Sequence, residues 1–367
     1  MGSTGSRRRS RRGIGTVVAL VASTAAVAAL AAAGLVANGG TSATAASGVG
    51  GSTAAGGAAG HVTHAAGAAA TATPAATAAA HKTFPAALPP IPKGDTVHVK
   101  LVLKDIAVEI APGVRYLAWG FEGGAPGPVI HVREGQKVKI TLTNGGMIPH
   151  SIDFHSARIA PNVAFRDVAP GKSISYTFTA KDPGVFMYHC GTKPVLAHIA
   201  NGMYGAIVVQ PRKPLPKADK EYVLVAGEWY MNGDGKKQPA TIDMEKARQM
   251  RPDVVAWNGY ANQYVTDPLT ADPGETVRFW VVAAGPSLDT AFHVVGTILD
   301  RAWVDADMTQ YLRGVQTVNV PAGGGAVFDV KIDEPGLYPF LSHSFASVDL
   351  GQVGLLKVGD VTGSMSH

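Results

Sequence analysis

At 367 residues the chain is long enough for two domains, each with a core of its own. Its formal charge of +5 is local: Arg7, Arg8, Arg9, Arg11 and Arg12 all precede residue 13, and 32 basic residues less these five leaves 27 against 27 Asp and Glu. A neutral body lacks the basic surface that nucleic-acid binding needs, so no nucleic-acid partner is expected.

The basic cluster precedes an apolar run from Ile14 to Val36, and Ala43 and Ala45 in "TSATAAS" offer an A-x-A cleavage pattern. That order is the order of an export signal, assigned here to 1–45. "SRRGIG" at Ser10 to Gly15 resembles a twin-arginine signal. An uncleaved anchor is the competing reading, because the 23 apolar residues are long enough to span a bilayer. On either reading the body is extracytoplasmic, periplasmic or at the cell surface. Residues 46–92 follow as an Ala/Gly/Thr-rich linker with too little apolar surface to offset the entropy of ordering, and His61, His64 and His81 read as solvated residues within it.

Past Pro92 the pattern becomes one of short strands. "TVHVKLVL" (Thr96 to Leu103), "QKVKITL" (Gln136 to Leu142), "SISYTFT" (Ser173 to Thr179) and "GAIVVQ" (Gly205 to Gln210) read as half-buried antiparallel strands between Pro-Gly and Asn-Gly turns. "MEKARQM" (Met244 to Met250) is the best helix. The chain then repeats: "PGKSISYTFTAKDPGVFMYHC" from Pro170 aligns with "AGGGAVFDVKIDEPGLYPFLS" from Ala322 at a constant offset of 152, and "GQKVKITL" from Gly135 matches "GETVRFWV" from Gly274. The fold class is therefore all-β, with two tandem β-sandwiches at 93–212 and 218–360. At the same offset Cys190 falls on Ser342, so only the first module is expected to hold a soft-metal site.

Cys190 is the one cysteine of the chain. An exported protein with a single thiol cannot close an internal disulfide, so the thiol is buried or bound. Here His198 follows Cys190 by eight residues and Met203 follows by thirteen, on one loop leading into the strand at Gly205. Soft sulfur and imidazole in a His, His, Cys set with a weak axial Met suit blue copper, and His150, after the strand ending at Leu142, supplies the distant histidine. His155 and His189 remain. Neighbouring side chains of a strand face opposite sides, so if Cys190 faces inward His189 faces outward, and His155 can share that side. These two imidazoles are part of a second metal site, and His343 in "LSHSF" of the second module is the candidate for its third ligand.

These residues and spacings resemble the two-domain copper-containing nitrite reductases, over about Thr96 to Asp360, in the variant with the compact Cys-to-His loop. The resemblance implies two tandem cupredoxin-type Greek-key β-sandwich domains and two coppers per chain. It places type 1 blue copper on His150, Cys190, His198 and Met203. It places type 2 copper on His155 and His189 with His343 of a neighbouring subunit, within a homotrimer. It assigns proton handling to Asp153 and His293 as catalytic residues, and a cap over the substrate pocket to Val295. The implied reaction is the one-electron reduction of nitrite to nitric oxide, fed by a small redox donor protein of the blue-copper or cytochrome c type.

Two other readings stay open on the residues alone. A laccase-like multicopper oxidase needs paired His-x-His motifs, whereas this chain shows Asp-x-His at Asp153 to His155 and His-x-Gly at His189 to Gly191. A blue-copper electron-transfer protein has no use for His155, His189, His293 and His343 in register.

Overall fold

The computed structural model describes Gly2 and residues 81–363. The expected export segment, except Gly2, and the linker up to residue 80, with His61 and His64, lie outside the described residues. No helix among the described residues is long and apolar enough to cross a membrane.

The first eight strands are Thr96–Ala111 (β1), Val114–Phe121 (β2), Ile130–Arg133 (β3), Lys137–Asn144 (β4), Asp153–Phe154 (β5), Ser173–Thr179 (β6), Gly184–His189 (β7) and Tyr204–Gln210 (β8). They make two four-stranded sheets, β2-β1-β4-β6 and β3-β8-β7-β5. Alternation explains β1 as far as Leu103: Val97, Val99, Leu101 and Leu103 are buried while Thr96, His98 and Lys100 are exposed. The strand then continues to Ala111, beyond the expected end, because its second half pairs with β2 in a hairpin turned at Pro112 and Gly113. Inward residues of both sheets, among them Leu101, Leu142, Phe154, Phe178 and Ile207, form one core, and Cys190 and Met203 sit in it.

Ten more strands follow: Lys220–Trp229 (β9), Val254–Trp257 (β10), Leu269–Ala271 (β11), Thr276–Gly285 (β12), Thr290–Val294 (β13), Arg301–Val304 (β14), Thr317–Val320 (β15), Gly325–Lys331 (β16), Gly336–Ser342 (β17) and Val353–Val358 (β18). Their sheets run β10-β9-β12-β16-β14 and β11-β18-β17-β13-β15. The core between them is aromatic, with Phe292 stacked on Phe328 at 4.8 Å and Phe279 beside both Phe292 and Phe340. A short helix, Met244–Arg248, stands where one was expected. Asp243 caps it by accepting from Glu245 N and Lys246 N, and the chain leaves the helical path before Met250, whose φ is +54°.

The two sandwiches are not independent beads. Val185, Met187, Tyr204, Ala206 and Val208 of β7 and β8 pack against Val223, Val225, Trp280, Val282 and Val327 of β9, β12 and β16 in a third apolar core. "GAIVVQ" was expected to be half-buried, but six of the seven residues of β8 are buried because this strand has a core on each face. At the closest approach Gly325 leaves no room for a side chain, since a Cβ there would lie 2.1 Å from the Val185 carbonyl oxygen. The end of the expected linker also joins the body: Leu88 N donates to Glu221 O, Val223 N to Ala86 O and Tyr264 OH to Phe84 O. His81, expected to be solvated, stacks on Tyr260 with ring centroids 3.6 Å apart, and burial lowers its pKa.

A buried ion pair fastens the second sandwich to the inter-module segment. Arg278 on β12 faces Asp329 on β16, with Nε to Oδ1 at 2.7 Å and Nη2 to Oδ2 at 2.9 Å, while Nη2 also donates to Pro216 O at 2.7 Å. Removing one partner strands a buried charge, so Asp329→Ala is expected to lower unfolding stability by about 3–5 kcal/mol, and Arg278→Met with Asp329→Leu to recover most of it. Urea denaturation measures both; a loss below about 1 kcal/mol, typical of a surface pair, would contradict this account.

Candidate metal centres

The first cluster forms where the ends of β4 and β7 meet the connection into β8. Asn144, fully buried at the end of β4, donates to Ile148 O at 2.8 Å and Val168 O at 2.7 Å and accepts from Gly146 N, which shapes the loop before His150. His150 is then clamped by a two-way backbone bridge to Val168. On the other side, Cys190 follows β7, the short helix Val195–Ala200 carries His198, and Met203 precedes β8. Bonds from Cys190 N to Met203 O and from Met203 N to His198 O, at 3.1 and 3.2 Å, hold this connection together.

The donor atoms converge. His198 Nδ1 lies 3.1 Å and His150 Nδ1 3.9 Å from Cys190 Sγ, and the two Nδ1 atoms are 3.0 Å apart. Among the described residues, His150, Cys190 and His198 are the one group of three His, Cys, Asp or Glu whose donor atoms lie within 4.8 Å of one another. All three are buried, as is Met203. Burial, helped by the neighbouring His198, pushes the pKa of His150 down to about 3, and burial pushes that of His198 down to about 4. Both imidazoles are therefore neutral at pH 7, the form that binds a metal, while burial pushes the Cys190 thiol up, so a metal must displace its proton. Two imidazole nitrogens and one sulfur in a dry cradle fit copper.

Three further residues shape this cluster although no spacing in the sequence singles them out. Trp119 of β2 lies over both imidazoles, its ring centroid 5.3 Å from that of His150 and 4.9 Å from that of His198. Ser151 donates its backbone N–H to Cys190 Sγ at 3.3 Å, and only its place beside His150 hints at this. Asn144 is the third.

The second cluster lies on the other face of the same strand end. Cys190 is fully buried, whereas His189, one residue earlier, is partly exposed and its Nε2 sits 3.0 Å from His155 Nε2. Each ring is oriented through its other nitrogen. His189 Nδ1 is 2.9 Å from Cys190 O, and His155 Nδ1 is 3.0 Å from Gly323 O of the second sandwich. A carbonyl only accepts, so both rings carry the proton on Nδ1 and present Nε2 as a lone pair. Burial lowers the pKa of His189, with the charge of Asp153 opposing; Asp153 is its register partner across β5 and β7.

The third group is on the second sandwich. His293 Nδ1 lies 2.7 Å from Gln316 O, and the rings of His293 and His343 are 5.4 Å apart. His343 is exposed and stacks edge-on with exposed Phe345. Val295, two residues past His293, is half-buried, its N–H bonded to Pro339 O. Within one chain the structure does not bring His343 into a three-donor group with His155 and His189.

A family model for multicopper oxidase matches residues 103–214. The copper-containing nitrite reductase of Neisseria gonorrhoeae is 40% identical over 268 residues, covering 71% of this chain and 68% of that protein. Among solved structures, the copper nitrite reductase from Nitrosomonas europaea is 36% identical with a TM-score of 0.67, covering 72% of this chain and 94% of that one. The copper-containing nitrite reductase from Thermus scotoductus is 27% identical, also at 0.67, over 74% of this chain and 64% of that one. The fold and the His-Cys-His cluster thus define a cupredoxin-type protein. More narrowly, the chain belongs to the family of copper-containing nitrite reductases.

The depressed histidines make the metal-free protein acid-sensitive. Between about pH 6.5 and pH 3–4 the unfolded chain binds protons at His150 and His198 that the folded chain does not, so stability is full above 6.5 and declines as pH falls through that window. Urea midpoints of metal-free protein should fall from pH 7.5 to pH 5, and His150→Gln and His198→Gln should each flatten the slope. A midpoint independent of pH in wild type would contradict the assignment.

Proposed function

We propose that this protein reduces nitrite to nitric oxide, with two coppers per chain. The blue copper is held by His150, Cys190, His198 and Met203. The second copper is held by His155 and His189 with His343 of a neighbouring subunit, in a homotrimer whose head-to-tail contacts close into a ring. The observation that carries the reading is the adjacency of Cys190 and His189: Cys190 Sγ points into one donor set, 3.1 Å from His198 Nδ1, while His189 Nε2 points into the other, 3.0 Å from His155 Nε2.

Copper bound there would cycle between its +1 and +2 states and, with three imidazole ligands, leave a position open to nitrite. The remaining chemistry belongs to the protein. Nitrite, one electron and two protons give nitric oxide and water. Asp153, whose charge is felt at His189, supplies a carboxylate beside the site. His293 donates its Nδ1 proton to the Gln316 carbonyl, so Nε2 is the atom that takes and gives the transferable proton. Val295 caps the pocket and limits the space above the reacting oxygen. The electron arrives from a small redox protein, and the enzyme works outside the cytoplasm, delivered or anchored by its N-terminal segment.

Asp153→Asn and His293→Ala are expected to keep both coppers and the blue colour while turnover falls by about two to four powers of ten. His343→Ala is expected to halve the copper content, counted by metal analysis, and to leave the visible absorption intact. Wild-type nitrite reduction in both proton-relay variants, or an active monomer by light scattering, would overturn the reading.

A further inference from the structure

The internal repeat puts Ser342 where the first sandwich has Cys190, and the reaction as proposed gives it no task. The two positions share more than an alignment. In the first sandwich Ser151 N donates to Cys190 Sγ at 3.3 Å, and in the second Ala291 N donates to Ser342 Oγ at 3.1 Å. One residue earlier on the same strands, His189 pairs with Asp153 and Leu341 pairs with His293. The place that offers sulfur to the first donor set thus offers a hydroxyl oxygen in the second sandwich, next to His343.

That oxygen gathers the backbone around His343. Besides Ala291 N it accepts, more loosely, from Ser344 N at 3.4 Å, while His343 N donates to Ala291 O at 2.7 Å. The peptide N–H groups before and after the His343 side chain are therefore both tied, one to Ala291 directly and the other through Ser342 Oγ. Ser342 is fully buried, so solvent takes no share in this. The His343 ring is exposed and packs against the rings of His293 and Phe345, at 5.4 and 4.8 Å, so its place follows from the backbone that carries it. His293 lies two residues past Ala291 on β13 and so projects from the same side of that strand.

We infer that Ser342 is a positioning residue of the second copper site: by binding Ala291 N and Ser344 N, its hydroxyl fixes where His343 and His293 stand relative to each other. The inference rests on the reading that His343 is a ligand of that copper with His293 beside it. Without the hydroxyl, Ala291 N loses its acceptor inside the sandwich, and the strand end must shift to find another. Such a shift moves the ligand and the proton carrier apart, and groups that orient a metal ligand from behind are typically worth about 10–100-fold in metal affinity.

The test must separate positioning from a general loss of stability, and Thr290→Val serves as the control. Thr290 is also buried at the start of β13, and its Oγ1 accepts from Gln352 Nε2 at 3.1 Å, but it makes no bond to the backbone at His343. Copper-loaded wild type, Ser342→Ala, Ser342→Thr and Thr290→Val are titrated with a chelator, and the second copper is followed by its paramagnetic resonance and by metal analysis. Ser342→Ala should release that copper at about tenfold less chelator and alter its resonance, while the blue absorption stays as in wild type. Thr290→Val should lose urea stability without either change, and Ser342→Thr, which keeps the hydroxyl, should restore the wild-type resonance. A second copper held in Ser342→Ala as tightly as in wild type, or loosened equally in Thr290→Val, would overturn the inference. A wild type that binds one copper per chain would overturn the two-copper reading itself and this inference with it.

Discussion

One peptide bond carries the architecture. In an extended strand consecutive side chains point to opposite faces, so placing His189 and Cys190 side by side at the end of β7 commits one side chain to the interior of a sandwich and the other to its outer surface. Neither orientation can change without the other: a slip of one residue in the pairing of β7 with β8 would exchange the two faces. The register is held by cores on both sides of this hairpin, and a slip would turn Val185 and Met187 away from the second sandwich and Phe186 and Tyr188 away from the first.

The same constraint explains why the two sandwiches share a core. A lone outer imidazole pair on a solvated sheet would have no rigid partner to orient it. The second sandwich supplies one, with the Gly323 carbonyl fixing the tautomer of His155 from the turn that ends at Gly325, where the backbone touches Val185. Closeness there depends on glycine, and the donor geometry of the outer site depends on that closeness. The inner site is instead fixed by its own connection, through the Cys190–Met203 and Met203–His198 backbone bonds.

What could be read from the sequence was whatever leaves a periodic or spaced trace. The strand at Ser173–Thr179, the start of β1 and the opposite orientations of Cys190 and His189 follow from period-2 alternation. The continuation of β1 did not, because exposed Lys104 and Asp105 break the alternation while the backbone simply goes on to pair with β2. The burial of β8 on both faces was missed for a related reason: a short apolar run does not say how many cores surround it. Contacts between side chains distant in sequence, such as Trp119 over His150 and His198 or Asp167 on Thr192, leave no local signature and are visible only once the chain is folded.

The account stands on electrons passing from the inner site to nitrite at the outer one. Its most direct test is a single turnover: the copper-loaded enzyme is fully reduced without oxygen, freed of excess reductant and mixed with nitrite while the blue absorption and the nitric oxide are both followed. The bleached absorption should return, with one nitric oxide released per electron lost. A blue band that stays bleached in the presence of nitrite would contradict the account.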